Sequence, residues 1–190
     1  MNVLIQSAWW ASKQVLRLVE PYHRQMLESF GWRYVVDYGN EKGSPWRFAM
    51  VRAMRDEGAK RVVSMDCDSV IANPLLFHRG PKMDGYDVGM VPAAGIKLHA
   101  GTFYVNNTGG ARAYLERCVV ASAGHDHNKF PEFFSEQVQD AKIVRLPRKW
   151  DEWHGCLGPT DEPTVVQSYH KMSMGDKIAG MAKLLEVLNG

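Results

Sequence analysis

Cysteine is scarce in this 190-residue sequence, and the three present, Cys67, Cys118 and Cys156, lie far apart. An odd count with no C-x-x-C pair argues against a disulfide framework and against a zinc knuckle, and it suits a reducing compartment. Long hydrophobic runs are missing: nowhere do about 18 apolar residues follow one another, as a membrane-crossing helix would need. The opening NVLIQSA reads as a strand rather than as a basic segment leading into a long apolar one, so the expectation is a cytoplasmic protein without a transmembrane segment. Basic runs are missing too. The 23 Lys and Arg against 21 Asp and Glu are scattered singly and in pairs, and a net charge of +2 does not point to nucleic acid. Internal repeats, low-complexity tracts and linkers are also absent.

What is there fits an ordinary globular chain, with 45% hydrophobic residues and both signs of charge nearly balanced. Its length allows one well-buried core and would cramp two. Val3 to Ser7 suits a buried strand, and Val15, Leu16, Val19, Met26, Leu27 and Phe30 fall near helical spacing between Ser12 and Phe30. Pro21 is placed to kink or split that helix, and Gly31 to end it. WRYVVDYG reads as a second strand. SPWRFAMVRAMRDEG reads as a helix with Ser44 as N-cap, Pro45 at its first position and Gly58 at its close. KRVVSMD is a third strand. Strand and helix alternating in this way predict an α/β fold with a parallel sheet. Further on, YDVGMVPA, GTFYVNN, AKIVRLP and TVVQSYH read as strands, and GGARAYLERCVVAS, PEFFSEQVQDA and the tail from Asp176 to Leu188 as helices. PRKWDEWHGCLGPTDEP, rich in Pro, Gly and charge, reads as a long loop of the kind that carries function.

RVVSMDCDSVIANPLLF, Arg61 to Phe77, sets two acids one residue apart at the end of a buried strand. Isolated buried carboxylates are costly unless something positive meets them. In open α/β sheets ligands bind beyond the carboxyl ends of strands. A hard divalent cation with oxygen ligands would relieve the repulsion between Asp66 and Asp68 and bridge to a phosphate-bearing substrate. The pattern alone decides nothing: eleven aspartates in 190 residues give roughly 0.6 D-x-D pairs by chance.

Two families share this pattern. VVSMDCDSV is similar to the D-x-D-x-[TV] strand of haloacid-dehalogenase-like phosphohydrolases, which would make Asp66 a nucleophile and Asp68 a general acid/base. That motif opens its own fold, whereas two strand and helix units precede it here, and GDK at Gly175 to Lys177 is a poor substitute for the later motifs. A longer resemblance is to the GT-A nucleotide-diphospho-sugar glycosyltransferases, in particular the small retaining, glycogenin-like type. SPWRFAMVRAMRDEGAKRVVSMDCDSVIANPLLF resembles their helix and h-h-h-D-x-D-x-h-h-x-x-P-L segment, including Asn73, Pro74 and Leu75. HAGTFYVNNTGGARAYLERC resembles their S-G-T-h-h-h-N strand and following helix, PEFFSEQ an acidic-Gln helix start, and YHKMS their late H-x-x-S or H-x-x-G segment, all in the expected order.

This resemblance implies one GT-A, Rossmann-like α/β domain over residues 1–190, with a mixed, mainly parallel sheet flanked by helices. Residues 1–75 would be the nucleotide-binding half and 76–190 the donor-sugar and acceptor half. The implied activity is transfer of a sugar from a nucleotide-diphospho-sugar, UDP-sugar first, to an acceptor hydroxyl with retention, dependent on Mn2+ or Mg2+. The phosphohydrolase, and a sugar-nucleotide-binding protein without turnover, remain the alternatives.

Carried over by position, Asp68 would ligate the metal and Asp66 the metal or the donor ribose, against a turn-capping role for either. His170 would be the third ligand, against an ordinary hydrogen-bonded histidine. Lys177 would contact the diphosphate, although it falls one residue late for H-x-x-G-x-x-K and Gly175 two residues late. Arg47 would meet the phosphates or simply be solvated. Gln6, Ser7 and Ala8 would border the nucleotide, with Ser7 the chosen contact; Trp9 and Trp10 would stack on the base or fill the core. Gly101 and Thr102 would line the donor sugar, against a strand bulge. Glu136 and Gln137 would face the sugar opposite its leaving group, against an exposed helical surface. Trp150, Trp153 and His154 would form an acceptor platform or anchor their loop. His125, Asp126 and His127 read better as a polar turn than as a metal cluster.

Overall fold

The computed structural model describes residues 1–8, 12–37, 50, 52–92, 98–122, 141–153, 163–170 and 172–190. Its centre is a six-stranded sheet in the order β2-β1-β3-β6-β5-β7. Here β1 is Asn2–Ser7, β2 Arg33–Asp37, β3 Arg61–Asp66, β5 Val88–Pro92, β6 Leu98–Asn106 and β7 Ile143–Arg145. Only β6 runs against its neighbours, so the sheet is mixed and mainly parallel, and it joins strands from both sides of residue 75.

The centres of β1 and β3, residues 3–6 and 62–65, are buried and mostly apolar because both faces of the sheet are covered there. Val3 and Ile5 of β1 and Val62 of β3 enter one core layer with Met54 and Leu115; Leu4, Val63 and Met65, pointing the other way, enter a second with Leu27, Phe77 and Tyr104. Each fully buried aliphatic side chain of this kind contributes about 1.5–3 kcal/mol.

Helix α1, Lys13–Ser29, buries Val15, Leu16, Val19, His23 and Leu27. Pro21 lies inside it without splitting it. Pro21 and Arg17 are both exposed, so the carbonyl that loses its i+4 donor faces water. Gly31 takes φ +70° and turns the chain into β2. Of the expected helix around residues 44–58, residues 50 and 52–55 are helical, and Gly58 takes φ +64° before β3. Ser44 and Pro45 lie outside the described residues. Helix α3, Gly109–Ser122, opens with the Thr108 hydroxyl accepting from the Ala111 amide at 3.0 Å.

Four short elements were not expected. The chain leaves β3 through Cys67 and Asp68 into β4, Ser69–Ile71, and then α2, Pro74–Arg79, with Asn73 Oδ1 accepting from the Leu76 amide at 3.1 Å. The stretch read as a long loop carries a 3-10 turn, Arg148–Trp150, and β8, Glu152–Trp153. With β9, Val166–Ser168, these strands make a second sheet, β4-β9-β8. Helix α4, Met174–Asn189, packs Met181 and Leu185 against Val15, Leu16 and Val19 of α1. Its N-cap is Ser173, which accepts from the Asp176 amide at 3.2 Å.

Candidate metal centre

The acidic turn sits at the carboxyl end of the central sheet. Ser7, the last residue of β1, is in register with Asp66, the last of β3, and Met65 faces Thr102 across the β3–β6 pair. Asp66 therefore emerges between the ends of β1 and β6, at the edge where open α/β sheets bind ligands.

His170 reaches this edge through the small sheet. β4 begins at Ser69, directly after Asp68, and pairs antiparallel with β9 so that Ser69 faces Ser168. The Tyr169 amide then donates to the Asp68 carbonyl at 2.9 Å. One residue further, His170 Nδ1 stands 3.3 Å from Asp68 Oδ1. On the other side, Lys177 in the first turn of α4 donates from Nζ to Asp68 Oδ2 at 2.5 Å. The ligand atoms of Asp66, Asp68 and His170 all lie within 4.8 Å of one another.

Burial opposes ionisation of Asp68, but the hydrogen bonds and charges of His170 and Lys177 outweigh it and hold the carboxyl well below the usual range. Burial would likewise lower His170; Asp68, Asp66 and Asp151 overcome it and bring the imidazole up to about 9. Burial pushes the Cys67 thiol up, with help from both flanking acids, which leaves it a packing residue rather than a nucleophile.

These donors suit a divalent cation. Two bonds of about 2.0–2.6 Å to one ion set opposite ligand atoms roughly 4–5 Å apart, which the 4.8 Å cluster accommodates. Carboxylate oxygens and an imidazole nitrogen are both ordinary donors to divalent cations.

Two buried hydrogen-bond systems support the turn, and sequence reasoning missed both. In the first, Gln6 Nε2 donates to the carbonyls of Asp66 and Ser69, each at 2.9 Å. Gln6 Oε1 accepts from the Tyr34 hydroxyl and from His23 Nδ1, each at 2.8 Å, while His23 Nε2 accepts from the Ile71 amide at 3.1 Å. Burial brings His23 down to about 3. In the second, the Ser69 hydroxyl meets Ser168 Oγ at 2.7 Å, and Ser168 Oγ donates to the buried Asp151 at 2.5 Å. A polar residue inside an apolar pattern was the available signal: Gln6 follows Val3, Leu4 and Ile5, and His23 continues the α1 stripe of Leu16, Val19 and Leu27.

The structure thus brings Ser7, Asp66, Asp68, His170 and Lys177 to one edge, with Gly101 and Thr102 buried in β6 beside it. Thr102 Oγ1 has no hydrogen-bond partner among the described residues. Gln6 spends its amide on the protein. Trp150 is buried edge-on against Tyr104, their ring centroids 5.5 Å apart, and so anchors its segment. Arg47, Glu136 and Gln137, with Trp9, Trp10, His125, Asp126, His127 and His154, lie outside the described residues.

The architecture is that of the GT-A glycosyltransferases. A glycosyltransferase involved in glycosylation of the major capsid of PBCV-1 superposes with a TM-score of 0.69 at 8% identity, over 96% of this chain and 98% of that one. GlyE of Streptococcus pneumoniae TIGR4 gives 0.60 at 10% identity, over 92% of this chain and 56% of its own. LgtC, a galactosyltransferase solved with donor and acceptor sugar analogues, gives 0.55 at 12% identity, over 100% and 95%. No protein-family model matches the sequence, and a search of curated proteins finds no match. At such identities the likeness is one of fold, and it does not favour the phosphohydrolase reading. No helix among the described residues is long and apolar enough to cross a membrane.

Proposed function

We propose that this chain, as one GT-A domain, transfers a sugar from a nucleotide-diphospho-sugar to an acceptor hydroxyl in a reaction that depends on a divalent cation. The observation that carries the reading is the convergence of Asp66, Asp68 and His170 at the carboxyl edge of a sheet whose structural neighbours are glycosyltransferases. These three residues would hold the ion, Mn2+ or Mg2+ by resemblance. When bound, such an ion supplies Lewis-acid stabilisation of the negative charge that develops on a diphosphate leaving group.

The chain's own residues divide the remaining work. Lys177 keeps Asp68 ionised and holds its second oxygen, and the same ammonium is within reach of a diphosphate placed at this edge. Ser7 and Arg47 are assigned to the nucleotide, with UDP the favoured one by resemblance, and Gly101 and Thr102 to the donor sugar, where the Thr102 hydroxyl, without a partner among the described residues, can hydrogen-bond. Glu136 and Gln137 are assigned to the sugar face opposite the leaving group. A carboxylate there attacks the anomeric carbon or stabilises an oxocarbenium-like transition state, giving retention.

A thermal-shift screen of nucleotide sugars with and without Mn2+ tests the donor and the ion together. The expected result is a rise in melting temperature that needs both UDP-sugar and Mn2+. No response to any nucleotide sugar removes the reading. Turnover of the stabilising donor, followed by NMR of the product anomer, tests retention; an inverted linkage removes the role given to Glu136.

A further inference from the structure

The Gln6 amide uses both of its N–H donors and both acceptor sites of its oxygen inside the protein, and its carbonyl partners, Asp66 and Ser69, flank the Cys67–Asp68 turn. These partners also fix the amide's orientation, because a flipped amide would set donors against the Tyr34 hydroxyl and the His23 ring and leave two carbonyls without a donor. The tautomer of His23 follows as well. Ile71 N donates to Nε2, so the proton sits on Nδ1 and points at Gln6 Oε1. Gln6 and His23 are both fully buried, in surroundings where hydrogen bonds are strong and unpaired polar groups costly.

We propose that Gln6, oriented by His23 and Tyr34, is a positioning residue for cation binding: it sets the backbone of the turn from which Asp66 and Asp68 project. The inference rests on the metal-dependent reading above. Gln6 touches neither carboxylate; it acts on the Asp66 and Ser69 carbonyls, while His23 holds the Ile71 amide just beyond. Together they determine where β3 ends and β4 begins. Ligand atoms displaced by a fraction of an ångström bind an ion poorly, and loss of an outer hydrogen-bond partner typically costs 10–100-fold in metal affinity.

The test is calorimetric titration of the full chain with Mn2+ alone, at a temperature where circular dichroism shows each variant folded. Gln6→Met keeps the length of the side chain and removes both donors, and it should bind Mn2+ about 10–100-fold more weakly than wild type. Leu115→Ala, a truncation in the opposite core layer, is the control for general destabilisation: it should melt earlier and bind Mn2+ as wild type does. Equal affinity in folded Gln6→Met overturns the positioning role and leaves the metal reading standing. No Mn2+ binding by the wild-type chain removes the metal reading and this role with it. If Gln6→Met does not fold, Tyr34→Phe decides: loss of one bond to Gln6 should weaken Mn2+ about two- to fivefold, and unchanged affinity overturns the proposal.

Discussion

Ser69 and Ser168 face each other across the antiparallel pair of β4 and β9, with their hydroxyl oxygens 2.7 Å apart. Ser168 gives its proton to Asp151, so Ser69 must donate to Ser168, and the three form a directed chain. The chain fixes the register that brings His170 beside Asp68. A slip of one residue would turn the side chains of β9 to the opposite face.

Ser168→Ala cuts this chain at its centre. Asp151 loses the Ser168 donor and the buried Ser69 hydroxyl loses its acceptor, at a cost of about 1–3 kcal/mol. Urea denaturation should show a lower midpoint with an unchanged slope. A midpoint equal to wild type would mean that the chain contributes nothing to stability.

His23 predicts a pH dependence of stability. Its folded value, about 3, lies below the ordinary histidine value of 6.5, so the neutral form is the one that folds. The contribution is complete above pH 6.5. It is lost as pH falls towards 3, because the unfolded chain takes up a proton that the folded chain refuses. The slope from this group is at most about 1.4 kcal/mol per pH unit. Urea midpoints of metal-free wild type and His23→Gln, compared from pH 7 to pH 4, should diverge in slope below pH 6.5. Parallel curves would mean that His23 titrates normally in the folded protein.

The central sheet was legible because β1 and β3 announce themselves as short apolar runs, and α1 through a stripe that recurs at helical spacing. The cluster of Asp66, Asp68 and His170 was legible only in pieces. Asp66 and Asp68 stand out at a strand end, but their link to His170 runs through β4, three residues long, and through the β4–β9 pairing, which no local pattern encodes. Asp151 was passed over because its segment is rich in proline, glycine and charge. Its burial depends on β8 lying parallel to β9, with Glu152 opposite Gln167. Gln6 and Tyr34 are 28 residues apart in sequence and meet only because β1 and β2 are neighbours in the sheet.

Gly180→Ala sets helix propensity against packing. Alanine is favoured over glycine in a helix by up to about 1 kcal/mol. A Cβ at residue 180 would, however, stand 2.6 Å from Cε1 of the buried Tyr169 ring, whose hydroxyl donates to the Gly180 carbonyl at 3.1 Å. Overpacking of this kind costs about 1–3 kcal/mol, so packing should win. The melting temperature should fall by about 2–6 °C. Because the Tyr169 amide holds the Asp68 carbonyl, Mn2+ affinity should fall too. A more stable variant would show that α4 moves away from Tyr169 at little cost.

Asp68, proposed as a cation ligand, is also the ion-pair partner of Lys177 and His170, and a pair of variants separates the two roles. Asp68→Asn keeps the size of the side chain and removes the charge that Lys177 and His170 both face. His170 can give up its proton and become neutral, but Lys177, with a side chain only 19% exposed, is left with no carboxylate at Asp68. Breaking a buried ion pair from one side costs on the order of 3 kcal/mol, and relaxation of His170 should bring the loss below that. Removing the stranded ammonium as well, in Asp68→Asn with Lys177→Met, should return most of the stability seen in denaturant titration. Both variants should bind Mn2+ far more weakly and transfer little sugar, because a neutral amide oxygen is a much poorer ligand than a carboxylate. Recovery of Mn2+ binding in the double variant would place the cation away from Asp68, whereas recovery of stability alone is the expected result.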